Sequence, residues 1–140
     1  AKIPATLGLY PVFWLWHHDE IVVFEFFGNS TAHYLSAHNK EKYVSQQFNT
    51  VANYSDHFHT YATHWTPHTI TWYFDDEAIH SISRADSDPA VKVAFPDSTN
   101  RWLRPHLSLR MYEWAERIDE ANLPDTLKVD YIKIYQNKKI

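Results

Sequence analysis

Two glutamates in a mostly apolar stretch are the residues of this chain best placed to do chemistry. Glu20 and Glu25 stand in the run 18–29, whose members between the two acids are all apolar. A carboxylate on a buried strand is energetically costly unless it is paired or solvated, so two of them predict an open cleft across one face of a sheet. Carboxylates that share such a cleft can divide nucleophilic and acid–base work on a bond placed between them.

The spacing of the two acids requires an irregular strand. In a regular strand, an odd separation would send Glu20 and Glu25 to opposite faces. A β-bulge near Val23 and Phe24 would return both to the same face, and bulges recur beside active sites. The carboxyl groups would then lie near the ~5–5.5 Å that suits a retaining glycosidase. Spacing alone leaves open that one glutamate faces solvent at a sheet edge and the other is an isolated structural acid.

The elements that must position these glutamates are β-strands. Alternating hydrophobicity, or enrichment in aromatic and β-branched residues, indicates eight or nine short strands. The candidates are Leu9–Trp16, Glu20–Phe27, Ala32–His38, Tyr43–Phe48, Phe58–Trp65, Thr69–Phe74, Glu77–Ser83, Leu103–Tyr112 and Leu127–Tyr135. Short strands at this close spacing predict an all-β sandwich.

Turns and other elements follow from local chemistry. The pair Asp75-Asp76 predicts a tight hairpin turn in which aspartate adopts positive φ, because only two glycines occur in the chain. One helical turn is predicted around Glu113–Glu120. The segments Arg84–Pro89 and Pro96–Arg101 are predicted loops.

Length and charge exclude several classes of protein. A chain of 140 residues suits one domain, which we expect to span residues 1–140. Thirteen Lys and Arg against 17 Asp and Glu give a formal charge of −4, so no basic field is present to bind nucleic acid or anionic membrane. No stretch approaches the ~20 apolar residues of a membrane-spanning helix. The absence of Cys excludes disulfides and thiolate metal sites.

Aromatic residues make up 16% of the chain, and in such number they either fill a β core or face a flat ligand.

Several segments of the chain resemble segments of one family, and they occur in the same order. The segment 20–25, Glu-Ile-Val-Val-Phe-Glu, resembles the Glu-x-Asp-x-x-Glu signature of glycoside hydrolase family 16, the laminarinase, lichenase, agarase and carrageenase group. The preceding segment 8–15, Gly-Leu-Tyr-Pro-Val-Phe-Trp-Leu, is similar to that family's Gly-Leu-Trp-Pro-Ala-Phe-Trp-Leu strand. Further similar segments are 26–29, 58–62, 65–67, 70–75 and 129–135.

The resemblance implies a fold and a reaction. The fold is a concanavalin-like β-jelly-roll sandwich of two antiparallel sheets, with a sugar-binding groove across the concave sheet. The reaction is endo-hydrolysis of a β-linked polysaccharide, a β-glucan or galactan, with retention of configuration. Glu20 would be the nucleophile and Glu25 the general acid and base, without metal or organic cofactor. Candidate sugar-binding residues are Trp14, Trp16, His33 and Trp114, and each aromatic could equally be a core residue.

Two departures from the family pattern affect these expectations. Val22 stands where the signature has Asp, and an apolar neighbour would desolvate Glu20 and raise its pKa, which weakens it as a nucleophile. The alternative function is therefore a catalytically impaired glycan-binding module of the same fold. Members also carry several strands before the Gly-Leu-Trp-Pro element, near which this chain starts. We expect a sandwich reduced or truncated at its N-terminus, a fragment, or a partner chain that covers exposed sheet edges.

The histidines suggest a rival site of another class. His57 and His59 would share one face of a strand, as in the metal site of a cupin barrel. That class expects a Glu three or four residues later, where this chain has Ala62 and Thr63. We therefore expect no metal.

Two expectations about function remain from the sequence. Because family members digest polysaccharides outside the cell, the resemblance implies secretion. Which polymer is cleaved stays open, although Arg104 and Arg110 could reach the groove if strand alternation points them there.

Overall fold

The computed structural model of the chain describes residues 1–28, 31–39, 42–50, 53–96, 102–111 and 117–136. Within these ranges, eight strands form two antiparallel sheets. They are β1 (Leu9–Trp16), β2 (Glu20–Glu25), β3 (His33–His38), β4 (Tyr43–Phe48), β5 (Tyr61–Trp65), β6 (Thr69–Phe74), β7 (Glu77–Ser83) and β8 (Arg104–Met111). The larger sheet has the order β4-β3-β2-β1-β8 and the smaller one the order β5-β6-β7.

The two sheets pack face to face, which confirms the predicted all-β sandwich of jelly-roll type. Alternate residues of each strand point into the space between the sheets. Ile21 and Leu35 of the larger sheet meet Ile70, Trp72 and Ile82 of the smaller one, each at most 6% exposed. A second cluster contains Phe24, Phe26, Tyr54 and Phe74. The apolar residues of β1, β2 and β3 are thus divided between this core and the opposite, outer face of the larger sheet.

The hairpin prediction is confirmed by the backbone. Asp75 and Asp76 have φ values of 47° and 67° at the turn between β6 and β7. The Asp75 carboxylate accepts a 2.8 Å hydrogen bond from the Thr60 amide and lies 2.7 Å from Nδ1 of His59. These side-chain contacts offset the cost of a left-handed backbone at a residue that is not glycine.

A short helix that the sequence analysis missed connects the two sheets. Helix α1 (Pro89–Ala94) begins after Asp88, whose side chain accepts a 2.8 Å hydrogen bond from the Ala90 amide. An Asp N-cap followed by Pro in the first turn is a recognised start signal, and it lay at the end of the predicted loop Arg84–Pro89. Val91 and Phe95 join the core around Trp72.

The predicted strand Leu127–Tyr135 is wrong. Within the described residues, this segment makes only one isolated antiparallel bridge, between Lys2 and Lys128. A strand needs a continuous neighbour for its amides and carbonyls, and none runs beside it there. Its alternating pattern leaves Tyr131, Ile134 and Tyr135 exposed.

Half of the predicted helical turn around Glu113–Glu120, residues 113–116, lies outside the described residues, and residues 117–119 are not helical. A 3₁₀ turn, η1 (Glu120–Asn122), follows with Asp119 as its N-cap. In the described part of the chain, no helix combines the length and the apolar character needed to cross a membrane.

Candidate active site

Strand β2 contains one extra residue between its two glutamates. Against β1, Glu25 pairs with Val12 and Phe24 with Phe13, but Trp14 then pairs with Val22, so Val23 has no counterpart. Against β3, the register shifts between Val22 and Glu25 in the same way. Two-against-one pairing is the definition of a β-bulge. The predicted bulge near Val23 and Phe24 is therefore confirmed.

The bulge brings Glu20 and Glu25 to one face of the larger sheet. Their partners on β1 are Trp16 and Val12, which are separated by an even number of residues and so share a face. Both glutamates line a single open cleft on the outer face of the sheet. The other residues lining it are Tyr10, Val12, Trp14 and Arg110.

The two carboxyl groups differ in their electrostatic surroundings. Burial raises the pKa of Glu25 to about 7, from an ordinary value of 4.5. Burial also raises the pKa of Glu20, but the positive charge of Arg110 opposes that effect. Near neutrality Glu25 therefore retains a proton that it can donate, while Glu20 has a cation nearby that favours its ionised form. Such an offset is typical of a pair that divides acid and nucleophile roles.

Val22 lies between the glutamates on the same face. Its side chain is 1% exposed and packs in a small apolar cluster with Tyr10 and Val12. Trp14 and Phe27 pack against this cluster. The position therefore provides desolvation and no hydrogen-bonding side chain beside Glu20.

Aromatic and basic side chains from β8 and β1 form one wall of the cleft. The Arg110 guanidinium lies 4.8 Å from the Trp14 ring centre, and the His106 ring stacks on Trp14 at 5.1 Å. Trp16, at the end of β1, is 48% exposed. Exposed indole faces can stack on sugar rings, so Trp14 and Trp16 remain predicted sugar-binding residues.

The family resemblance implied that His33 faces the groove, which is wrong, because the structure places this residue on the other side of the sheet. Tyr34 pairs with Glu25, so its neighbour His33 points to the opposite face. His33 is 1% exposed, and its Nδ1 lies 3.2 Å from the Tyr54 hydroxyl within the core. The groove position of His33 was implied by the family resemblance alone, and the register between β2 and β3, which sets its face, is not contained in any local pattern. Trp114, the fourth predicted sugar-binding residue, lies outside the described residues.

The groove-facing residues of β3 and β8 complete the site. Ser36 and His38 share the face of Glu25, and the Ser36 hydroxyl lies 2.7 Å from Nε2 of His38. The His38 ring stacks on Tyr43 of β4 at 5.3 Å. The sequence analysis missed these side chains, as it missed Tyr10, although Tyr10 follows the alternation of Val12 and Trp14. Arg110 does reach the cleft, as the alternation of β8 allowed.

The histidines of the rival metal hypothesis are not gathered into one cluster. His59 pairs with Asp75 at 2.7 Å and stacks on Phe74, whereas His57 is exposed. Over the ranges that the structure describes, no group of three or more His, Asp and Glu residues is placed to hold a metal ion.

Comparison with known proteins gives consistent matches to one family. The sequence model described as glycosyl hydrolases family 16 matches residues 1–133. An endo-1,3-1,4-beta-glycanase of Rhizobium meliloti, ExsH, is 35% identical over 143 residues, which is 96% of this chain and 29% of that protein. A second glycanase of this bacterium, EglC, is 34% identical over 95 residues, covering 62% of this chain and 20% of its own length.

Solved structures share the fold at low sequence identity. The laminarinase catalytic domain of Thermotoga maritima superposes with a TM-score of 0.67 at 20% identity, covering 89% of this chain and 56% of that domain. The endo-beta-1,3-glucanase of Pyrococcus furiosus gives 0.66 at 20% identity, with 85% and 51% covered. The chain thus spans about half of these structures and less than a third of the curated relatives.

Proposed function

The chain belongs to glycosyl hydrolases family 16, and from this membership we propose that it is an endo-acting enzyme that cleaves a β-linked glucan with retention of anomeric configuration. The observation that carries the proposal is the bulge in β2, because it brings Glu20 and Glu25 to one cleft. Burial raises the pKa of both carboxyls, but only at Glu20 does a nearby cation, Arg110, oppose that rise, and this difference supports two different roles.

The reaction has two displacements. In the first, the Glu20 carboxylate attacks the anomeric carbon, the glycosidic C–O bond breaks, and Glu25 donates its proton to the leaving oxygen. A glycosyl ester on Glu20 results. In the second, the Glu25 carboxylate takes a proton from water, the resulting hydroxide oxygen bonds to the anomeric carbon, and Glu20 departs as a carboxylate. Two inversions give net retention.

The substrate class follows from the relatives and the cleft. The two Rhizobium meliloti proteins are named as endo-1,3-1,4-beta-glycanases, and the two compared structures as a laminarinase and an endo-beta-1,3-glucanase. We therefore propose a β-1,3- or mixed-linkage glucan as substrate. Trp14 and Trp16 would stack on its sugar rings. Because such polymers are not taken up whole, the proposed place of action is outside the cell.

The test is product analysis with the full chain. Laminarin, mixed-linkage β-glucan, agarose and carrageenan are incubated separately, and products are resolved by chromatography and by NMR at early times. We expect internal cleavage of a glucan with the β-anomer formed first. E20Q and E25Q should each lose more than about 100-fold in kcat, whereas E77Q, at an exposed position on β7, serves as the matched control. Unchanged rates in E20Q and E25Q, or an inverted first product, would overturn the proposal.

Val22 supports a second candidate function. Residue 22 is apolar and cannot hydrogen-bond the Glu20 carboxylate. The rise in the Glu20 pKa that burial causes is opposed by the charge of Arg110, which lies on another strand. A glycan-binding module without turnover is the alternative that this arrangement favours. Calorimetric binding of glucan oligosaccharides without any product after long incubation would select it.

A further inference from the structure

The bulge between the two glutamates is contacted from the other sheet. The indole Nε1 of Trp72, in the middle of β6, donates a 2.7 Å hydrogen bond to the main-chain carbonyl oxygen of Val22. Trp72 is 1% exposed, and the bond is buried. A strand carbonyl normally bonds in the plane of its own sheet, toward a neighbouring strand. Here it receives a donor from across the sandwich.

The position of this bond along β2 is informative. Val22 is the last residue before the unmatched Val23, so the bonded carbonyl belongs to the peptide at which the bulge begins. A bulge disrupts the ladder and leaves backbone groups in need of other partners. A buried carbonyl without a donor is costly, so the Trp72 N–H stabilises the bulged backbone against the regular one.

The other sheet is irregular at the same place. Opposite Trp72, β7 contributes His80, and the register of β6 and β7 shifts directly afterwards, so that Ile79 has no counterpart on β6. The His80 ring lies 5.6 Å from the Trp72 ring. The Trp72 indole, which is buried between the two sheets, thus has one bulge beside it in each sheet.

We infer that Trp72 is a positioning residue: its N–H holds the Val22 carbonyl, and thereby the bulge, so that Glu25 shares the cleft with Glu20. A regular β2 would turn one glutamate to the opposite face, because the side-chain period of a strand is two. The inference deepens the proposed function and rests on it for its kinetic readout. Its structural readout is independent of activity.

The distinguishing measurement is the ionisation of Glu25, because its raised pKa results from burial in the cleft. The other titratable or charged groups on this face of the surrounding strands are Tyr10, Glu20, Tyr34, His38, Arg104, His106 and Arg110, and His80 contacts Trp72 itself. Titration by NMR with carboxyl-labelled glutamate observes only the Glu carboxyls, and the spectra of E20Q and E25Q assign the Glu20 and Glu25 signals.

The experiment compares wild type, Trp72→Phe and Ile70→Val in the full chain. Ile70 lies on the same strand and is fully buried, so its truncation destabilises the core without removing a donor. We expect Trp72→Phe to raise the Glu25 pKa by at least about one unit, because a β2 without the bulge turns that carboxyl toward the apolar core that contains Phe24 and Phe26. We also expect kcat to fall at least about tenfold with KM changed less than about threefold, since substrate contacts are kept. Ile70→Val should show neither effect.

If Trp72→Phe does not fold, a sulfur isostere of tryptophan placed at position 72 keeps the ring shape and removes only the N–H. An unchanged Glu25 pKa in whichever of these variants folds overturns the inference, as does an equal change in Ile70→Val. If wild type proves inactive while Trp72→Phe still raises the Glu25 pKa, only the proposed function fails. If E20Q and E25Q abolish activity while the Glu25 pKa stays constant, only the role of Trp72 fails.

Discussion

The Arg110 guanidinium carbon lies 4.8 Å from the centre of the Trp14 ring. Burial raises the pKa of the Glu20 carboxyl, and the charge of Arg110 opposes that rise. One side chain from β8 therefore packs on an aromatic residue of the cleft and acts electrostatically on the proposed nucleophile. Burial raises the Glu20 pKa and so favours the protonated carboxyl, whereas the positive charge of Arg110 favours the carboxylate that the nucleophile role requires.

Replacing Arg110 should move the acid limb of the pH–rate profile. In Arg110→Gln the Glu20 pKa rises further, so we expect the lower limb of kcat/KM to shift to higher pH. A kinetic pH series checks this. Arg110→Lys should restore much of the shift, because it keeps the charge. Arg104→Gln is the matched control, since Arg104 lies over Trp102 instead. An unshifted limb in Arg110→Gln would remove Arg110 from the account of Glu20.

Glu25 should make the protein less stable as the pH rises. Its folded pKa of about 7 exceeds the ordinary 4.5, so between these values the folded state binds more protons than the unfolded state. The free energy of unfolding must then fall with rising pH, by at most roughly 3 kcal/mol for this group. In Glu25→Gln this loss is absent, so the variant should gain stability over wild type between about pH 4 and pH 8. Urea denaturation across that range, with Glu77→Gln as control, measures the difference. A constant difference would contradict the burial of Glu25.

His33 should have the opposite dependence. Burial lowers its pKa to about 4 from 6.5, so as the pH falls below 6.5 the unfolded state takes up a proton that the folded state does not. Stability is then lost on acidification, by about 2 kcal/mol between pH 6.5 and pH 5. His33→Phe should remove this fall, while His57→Asn, at an exposed position, should keep it. Guanidinium denaturation at both pH values is the measurement. An equal fall in His33→Phe would mean that another group titrates.

Val22→Asp should raise activity and lower stability. The new carboxylate would lie between the two glutamates, where it can hydrogen-bond and tune Glu20, so we expect kcat/KM to rise at least about tenfold. Because Val22 is 1% exposed, a polar group there should cost about 1–3 kcal/mol of folding free energy. Val22→Asn is the control, similar in shape but without charge. A rate unchanged from wild type would show that residue 22 does not limit catalysis.

Local sequence patterns predicted the strands that position the site. The features that they did not predict depend on pairing between segments distant in sequence. Enrichment in aromatic and β-branched residues predicted the bounds of β1 and β4, the odd separation of the two glutamates predicted the bulge in β2, and turn chemistry predicted the turn at Asp75. The face of His33 depends on the register between β2 and β3, which no local pattern contains. The segment 127–135 alternates like a strand, but among the described residues it pairs only through the bridge between Lys2 and Lys128.

Strand β8, at the edge of the larger sheet, exposes apolar side chains that the predicted partner chain would cover. Leu107, Leu109 and Met111 of β8 are 39%, 37% and 65% exposed. Coverage of this edge by another chain stays a prediction, which the oligomeric state in solution would test.

The turn at Asp75 and Asp76 also limits how the hairpin can change over evolutionary time. A glycine would relax the left-handed backbone at either position, but at the first it would delete the acceptor that holds the Thr60 amide and the His59 ring. Relief of torsional strain and retention of those contacts are therefore mutually exclusive at Asp75. At Asp76 the described structure shows no such side-chain contact. A glycine there would relax the backbone without loss of a hydrogen bond, so a change to glycine should be tolerated at Asp76 before Asp75.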